Sequence, residues 1–172
     1  MVRYSFIKKS LICGLCALMI TGLAGCKSES SSSAVESTAE SVSQKAEVNA
    51  KQILQKCEDS SMTQSAYYGN DTFNNVTEKL YGIEIEKIYD GGIICGEDGS
   101  SDEVSVLKLA DGSSATELLE ERLEQRKELF KDYKPEEIPK LDKAEVFEQN
   151  GWNCLVISEN ASEIKDKILE LI

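Results

Sequence analysis

The stretch AEVFEQNGWNCLVIS, residues 144–158, restricts what this chain can fold into more than any other. Two runs of apolar and β-forming residues flank Asn150-Gly151. Asn-Gly between such runs is the strongest short-range hairpin signal, because a two-residue turn needs positive φ at both positions. That turn fixes the register: Gln149 opposes Trp152, Phe147 opposes Cys154 and Val146 opposes Leu155. Paired residues share a face, so one face carries Ala144, Val146, Leu155 and Ile157, and the other carries Phe147, Trp152, Cys154 and Val156. Both are apolar, whereas a sheet with one wet face alternates. Layered domains favour the first helix as the cover for the second face. The competing expectation leaves Trp152 and Phe147 open as a candidate partner surface, since tryptophan is enriched in binding hot spots.

The surrounding sequence supplies further elements. AEVNAKQILQKC (46–57) has Ala46, Ala50, Ile53, Leu54 and Cys57 at helical spacing. TFNNVTEKLYGI (72–83) reads as a short helix with Phe73, Val76, Leu80 and Ile83 inward, broken by Gly82. EKIYDGGIIC and DEVSVLKLA read as strands joined by the polar loop GEDGSS. Ser114-Ala115-Thr116-Glu117 matches a capping box. It opens a helix to Tyr133, with Leu118, Leu119, Leu123, Phe130 and Tyr133 inward, until KPEEIP ends it. Asn160 caps a closing helix, SEIKDKILELI, with Ile164, Ile168 and Leu171 turned inward. The expected fold class is α+β: an N-terminal helix followed by two strand-strand-helix units forming a four-stranded antiparallel sheet with packed helices.

Charge is unevenly distributed. The formal net charge of the 172 residues is −12. Residues 1–25 hold Arg3, Lys8 and Lys9 and no acid, which leaves 16 basic against 31 acidic side chains afterwards, a balance of −15. Nucleic acid repels such a chain, so no nucleic-acid partner is expected. There is no histidine, which removes imidazole bases, Ser-His and Cys-His nucleophile pairs and histidine-ligated metals.

The basic start is followed by an apolar run from Ser10 to Ala24, shorter than the roughly 20 residues a membrane span needs. A basic start, a short apolar middle and small residues at the end describe an export signal. Leu23-Ala24-Gly25-Cys26 then resembles the lipobox of bacterial lipoproteins. The resemblance implies recognition through Leu23, Ala24 and Gly25, and cleavage before Cys26. The Cys26 sulfur then carries diacylglycerol, with an N-acyl chain as a further option. Two chains, at about 0.8 kcal/mol per buried methylene, hold a membrane firmly where one does not. Lys27 to Lys45 is rich in serine, alanine and glutamate. Such a segment cannot offset its ordering entropy and reads as a coil tether spanning roughly 24 Å. The expected organisation is a signal peptide at 1–25, lipidated cysteine and tether at 26–45, and one globular domain at 46–172.

KLYGIEIEKI, DEVSVLKLAD, LEERLEQRKELFKDYKPEEIPKL and AEVFEQNGWNCLVISENA together resemble a family of small lipoproteins of Gram-positive bacteria that carry a domain of unknown function. The resemblance covers roughly residues 46–172. It implies the domain boundary and the strand-helix order, and brings no catalytic residues, so none is assigned.

Other candidates have plainer readings. After lipidation Cys57, Cys95 and Cys154 remain, an odd count that leaves at least one unpaired. Cys95 and Cys154 would bond only if their strands were neighbours, and the expected role of these thiols is as small buried hydrophobes. The acids of GEDGSSDE, Glu97, Asp98, Asp102 and Glu103, lack calcium-loop spacing and read as a solvated hairpin loop, with no metal expected. Glu120, Glu121, Glu124, Arg122, Arg126 and Lys127 read as a solvated helix face. Asn70, Asn75 and Asn160 match glycosylation sequons by coincidence. The functional expectation is a lipoprotein on the outer face of the bacterial cell membrane. It has no cofactor beyond its lipid, contacts the bilayer through the anchor, and serves as a binding or envelope-accessory module for a protein partner. The alternative is a carboxylate-based hydrolase of the cell envelope.

Overall fold

In the computed structural model, which describes residues 47–57 and 61–172, the hairpin has the register its turn demands. Strands β4 (Glu145–Gln149) and β5 (Trp152–Ile157) pair Gln149 with Trp152, Phe147 with Cys154 and Val146 with Leu155. Asn150 and Gly151 take φ values of 52° and 78° at the turn. Strands β1 (Met62–Tyr67), β2 (Ile88–Gly96) and β3 (Glu103–Leu109) complete a sheet in the order β1-β2-β3-β5-β4, with every neighbouring pair antiparallel.

The sheet thus has five strands, not the expected four. β1 is the addition, and its sequence MTQSAY hides it. Thr63, Gln64 and Ser65 are exposed in succession and the pairing is irregular between Met62 and Gln64, so no period-two pattern survives. The expected order of elements changes as well. Helix α1 covers Ala50–Cys57 instead of starting at Ala46, which lies outside the described residues. Strand β1 and helix α2 (Asp71–Tyr81) then precede the first long hairpin.

Helices cover both faces. On one side α1 contributes Ala50, Ile53, Leu54 and Cys57, and α5 (Ala161–Leu171) contributes Ala161, Ile164 and Ile168. These pack with Val104, Val106, Trp152, Cys154 and Val156. On the other side Phe73 and Tyr81 of α2, Leu119 and Phe130 of α3 (Thr116–Tyr133) and Leu141 of α4 (Ile138–Leu141) pack with Ile93, Leu107, Leu155 and Ile157. All six residues of β5 are buried. Trp152 is only 3% exposed: α1, the expected cover for this face, forms the second layer together with α5.

Gly91 and Gly92 admit two of these helices. A Cβ on Gly91 would lie 2.7 Å from Cζ of Phe73, and one on Gly92 would lie 2.6 Å from Cδ1 of Leu54. Each is inside any tolerable carbon contact, so the absence of side chains lets α2 and α1 seat against opposite faces.

Helix starts follow tertiary needs more than local motifs. Asn70 caps α2 by accepting from the Phe73 N–H at 2.7 Å, and Gly82 ends it at φ 65°. The expected capping box does not form. Ala115 is the cap residue of α3, and its N–H donates at 2.8 Å to Oδ1 of the buried Asn153. The Ser114 hydroxyl donates to the same oxygen, while Asn153 Nδ2 donates to the Leu107 carbonyl. A buried amide has to be satisfied on both its ends, and here the two residues ahead of α3 do half of that. Asn160 precedes α5 without a side-chain cap bond, and Tyr133 is 69% exposed instead of inward.

Trp152→Ala empties a large site in the core beneath α1 and α5. It is expected to lower stability by about 3–5 kcal/mol, read as a fall in the urea midpoint. The intact chain's tryptophan emission should be blue-shifted and resist quenching by acrylamide. A red-shifted, freely quenched emission would mean that α1 and α5 do not cover this face.

Candidate functional site

Leu23, Ala24, Gly25 and Cys26 lie outside the described residues. The other two expected site residues share one core cluster: Trp152 inside it, and the half-buried Phe147 against it, with Lys165 Nζ 5.4 Å from the Phe147 ring centre. One edge of Trp152 still reaches the surface. It lines a groove of about 310 Å³ together with Val48, Lys108, Asn150 and Ile172. An adjoining hollow of about 140 Å³ adds Asn49, Tyr89 and Asp90. Lys108 is the hinge of this arrangement. Its Nζ sits 5.6 Å from both the Tyr89 and Trp152 ring centres and pairs with Glu47 at 2.6 Å. Asp90 is occupied structurally, accepting from the Ala50 N–H at 2.9 Å and so capping α1. Tyr89 is 57% exposed. The groove offers one accessible aromatic ring, the Lys108–Glu47 ion pair and an apolar wall of Val48, Trp152 and Ile172, an assortment suited to holding a ligand or partner side chain by contact. Sequence reading found Trp152 but not Tyr89 or Lys108, whose rows meet only through the β2–β3 and β3–β5 registers.

The second concentration of chemistry lies at the far end of β2 and β3. The loop acids expected to be solvated divide. Glu97 and Asp98 are exposed, but Asp102 and Glu103 are buried, at 6% and 1% exposure. Glu103 receives a forked guanidinium: Arg122 Nε donates to Oε1 at 3.2 Å and Nη2 to Oε2 at 2.8 Å. The Tyr81 hydroxyl donates to Oε1 at 2.6 Å, and Arg126 Nε lies 3.7 Å from Oε2. Burial, reinforced by the Glu103 charge, pushes the Tyr81 hydroxyl well above its ordinary pKa. Arg122 and Arg126 therefore face inward, contrary to the expected solvated helix face.

A second knot adjoins it. Lys140 Nζ is 2.9 Å from both Asp102 Oδ2 and Glu137 Oε2, and Glu137 also accepts from the Ser101 N–H and hydroxyl. Burial opposes charge on Glu137, yet those donors win and hold its carboxyl at about 2. Lys140 is likewise raised: burial lowers it, and its bonds to Glu137 and Asp102 outweigh that. Arg126 and Lys134 complete the clamp by donating to the carbonyls of Ser100 and Gly99. The loop from Glu97 to Asp102 is thereby stitched to α3 and the turn that follows it.

The cysteines are separated. Cys95 faces the α3 side and Cys154 the α1 side, with β3 between their strands, so the Cys95–Cys154 bond considered from sequence cannot form. Burial and the Glu103 charge push the Cys95 thiol up to about 11 despite two nearby arginines, which leaves it a poor nucleophile. Burial also raises Cys154. Among the described residues no cluster of Cys, Asp and Glu is arranged to hold a metal ion, and no helix is long and apolar enough to cross a membrane.

Residues 66–158 match the family model described as Domain of unknown function (DUF4358), more than half of the chain. The chain belongs to this family. No curated protein and no solved structure matches it. The DUF4358 segment runs from Ala66 in β1 to Ser158 just beyond β5. It contains the whole charge cluster and all of α2, α3 and α4, whereas α1 and α5 fall outside it. The groove is split: Tyr89, Lys108 and Trp152 are within the DUF4358 segment, and Val48 and Ile172 are beyond it.

Two outcomes follow from the charge cluster. Glu103→Gln removes the charge that neutralises Arg122 and Arg126, and is expected to cost about 3–5 kcal/mol, read as a lower urea midpoint at neutral pH. The Glu137 knot predicts acid sensitivity. Its carboxyl titrates near 4.5 when unconstrained and near 2 in the fold, so its stabilisation is complete above 4.5 and disappears as pH falls through 2. Stability measured against pH should lose less across that window in Glu137→Gln than in the parent chain.

Proposed function

We propose that this DUF4358 protein is a lipid-anchored module on the outer face of the bacterial cell membrane that acts by binding, its lipid carried on Cys26. The carrying observation is Leu23-Ala24-Gly25-Cys26 at the end of a basic-then-apolar leader and ahead of a serine-rich tether. On this reading residues 1–25 are removed, the sulfur of Cys26 holds diacylglycerol, and residues 26–45 keep the α+β domain off the bilayer.

The binding reading draws support from how the buried acids are used. A carboxylate hydrolase needs two acids converging on substrate with different proton affinities. The two that converge here, Asp102 and Glu137, meet on Lys140, and Glu103 is held by two arginines. Such acids serve the fold. The groove beside Trp152 is the better contact surface, with Tyr89 and Lys108 as its accessible groups and an envelope protein as its partner.

Cys26→Ser tests the anchor. In a bacterial host fed a labelled fatty acid, the parent chain should take up label, lose its leader and sediment with membranes. The variant should carry no label and keep the leader's mass. Label-free parent protein in the culture fluid would overturn the location. For the surface, Tyr89→Ala should weaken crosslinking to envelope proteins while changing stability by no more than about 0.5 kcal/mol; undiminished crosslinking would exclude the groove.

A further inference from the structure

Lys108 is held unlike Arg122 and Lys140. Those two pair with acids at least as buried as themselves, Glu103 and Asp102. The Lys108 side chain is 25% exposed, but that of its partner Glu47 is 64% exposed. A cation so far withdrawn from water needs a counter-charge, and the nearby Tyr89 and Trp152 rings supply part of it. The remainder comes from Glu47, which as the exposed member of the pair returns to water at little cost. Asp90, the other acid beside the groove, is committed: its Oδ2 accepts from the Ala50 N–H and its Oδ1 from the Gly91 N–H. The need for an anion beside Lys108 is therefore fixed, while the group that meets it is exchangeable.

We infer that Lys108 is the anion seat of the groove: an acidic side chain of the partner protein displaces Glu47, and an apolar neighbour of that side chain lies against Val48, Trp152 and Ile172. This rests on the groove as the contact surface and adds the chemistry of what enters it. Among the described residues, the charged ones lining the groove and its adjoining hollow are Glu47, Lys108 and Asp90. With Glu47 turned out and Asp90 taken, the charge left on offer is positive. The volume of about 310 Å³ is at the small end of ligand sites, and suits a pair of side chains rather than a bulky ligand. The chain's charge of −12 repels an acidic partner at a distance. That repulsion is screened beyond about 8 Å at physiological ionic strength, whereas the contact at Lys108 is far shorter, 2.6 Å with Glu47. Glu47 is thus a resident competitor, and a partner that brings no acid leaves the pair intact.

The test uses a capped tripeptide, acetyl-leucyl-glutamyl-leucinamide, and its glutaminyl counterpart, with the full chain in detergent. Trp152 is the only tryptophan, so its emission reports occupancy of the groove, and ligand-detected NMR gives a second reading. The acidic peptide should bind with a dissociation constant on the order of millimolar. It should bind at least about tenfold more tightly than the glutaminyl peptide. Glu47→Gln should tighten the acidic peptide at least about threefold by removing the competitor, and leave the glutaminyl peptide unmoved. Lys108→Met keeps an apolar stem beside the rings and should reduce the acidic peptide to the level of the glutaminyl one. Glu47 is exposed, so its variant carries the test even where the urea midpoint of Lys108→Met has fallen. Equal binding of the two peptides to the parent chain overturns the proposal. So does binding of neither, or a Glu47→Gln chain that takes the acidic peptide no better than the parent. Crosslinking to envelope proteins that Tyr89→Ala still weakens would, beside such results, keep the groove as contact surface and discard the acid alone.

Discussion

Everything in this fold depends on a strand that is dry on both sides. All six residues of β5 are buried, and its position between β3 and β4 puts it where no loop can shield it. Two-sided burial in an antiparallel sheet is the exception, and it demands a helical layer on each face. The described residues meet that demand from both their ends and their middle. α1 and α5 close one face, while α2, α3 and α4 close the other. The helices that come first and last in the described chain therefore share a task, which explains why elements far apart in sequence form one apolar cluster with Trp152.

Full burial also forces polar groups into places where they must be paired. Asn153 lies in the dry strand and is reconciled by giving its oxygen to the start of α3 and its amide to Leu107. Glu103 lies at the start of β3 and is reconciled by Arg122, Arg126 and Tyr81. Such pairs contribute less to net stability than their geometry suggests, because desolvation offsets most of the attraction. Their sharper effect is positional: a carboxylate that must meet a forked guanidinium fixes the rotation of α3 about its own axis, where a purely greasy contact would tolerate sliding.

The hairpin, its register and the apolar character of both its faces were legible, because a two-residue turn leaves only one pairing. Most helix spans were legible for the same local reason, namely spacing. What the sequence concealed was tertiary. β1 shows no alternation, since an irregular edge strand has three exposed residues in a row. Asp102 and Glu103 look like loop acids until Lys140 and Arg122, distant in sequence, arrive to neutralise them. Ser114 and Glu117 spell a capping box, yet the helix starts without a side-chain cap, and the Ala115 N–H instead donates to Asn153 on a strand nearly forty residues later. Most of Trp152 is covered by α1 and α5 together, and periodicity gives no view of which helices will share a face. Tyr89 and Lys108 carried no signal, because their neighbourhood to Trp152 exists only across three strands.

Gly91 and Gly92 sit side by side in β2, yet the space each leaves is filled from opposite directions, by Phe73 and by Leu54. The sheet is therefore at its thinnest there, and the helices above and below are separated by little more than one layer of backbone. Neither helix can shift along the strand without pressing on the peptide that seats the other. α1 and α2 thus approach opposite sides of this dipeptide more closely than side chains on β2 would permit.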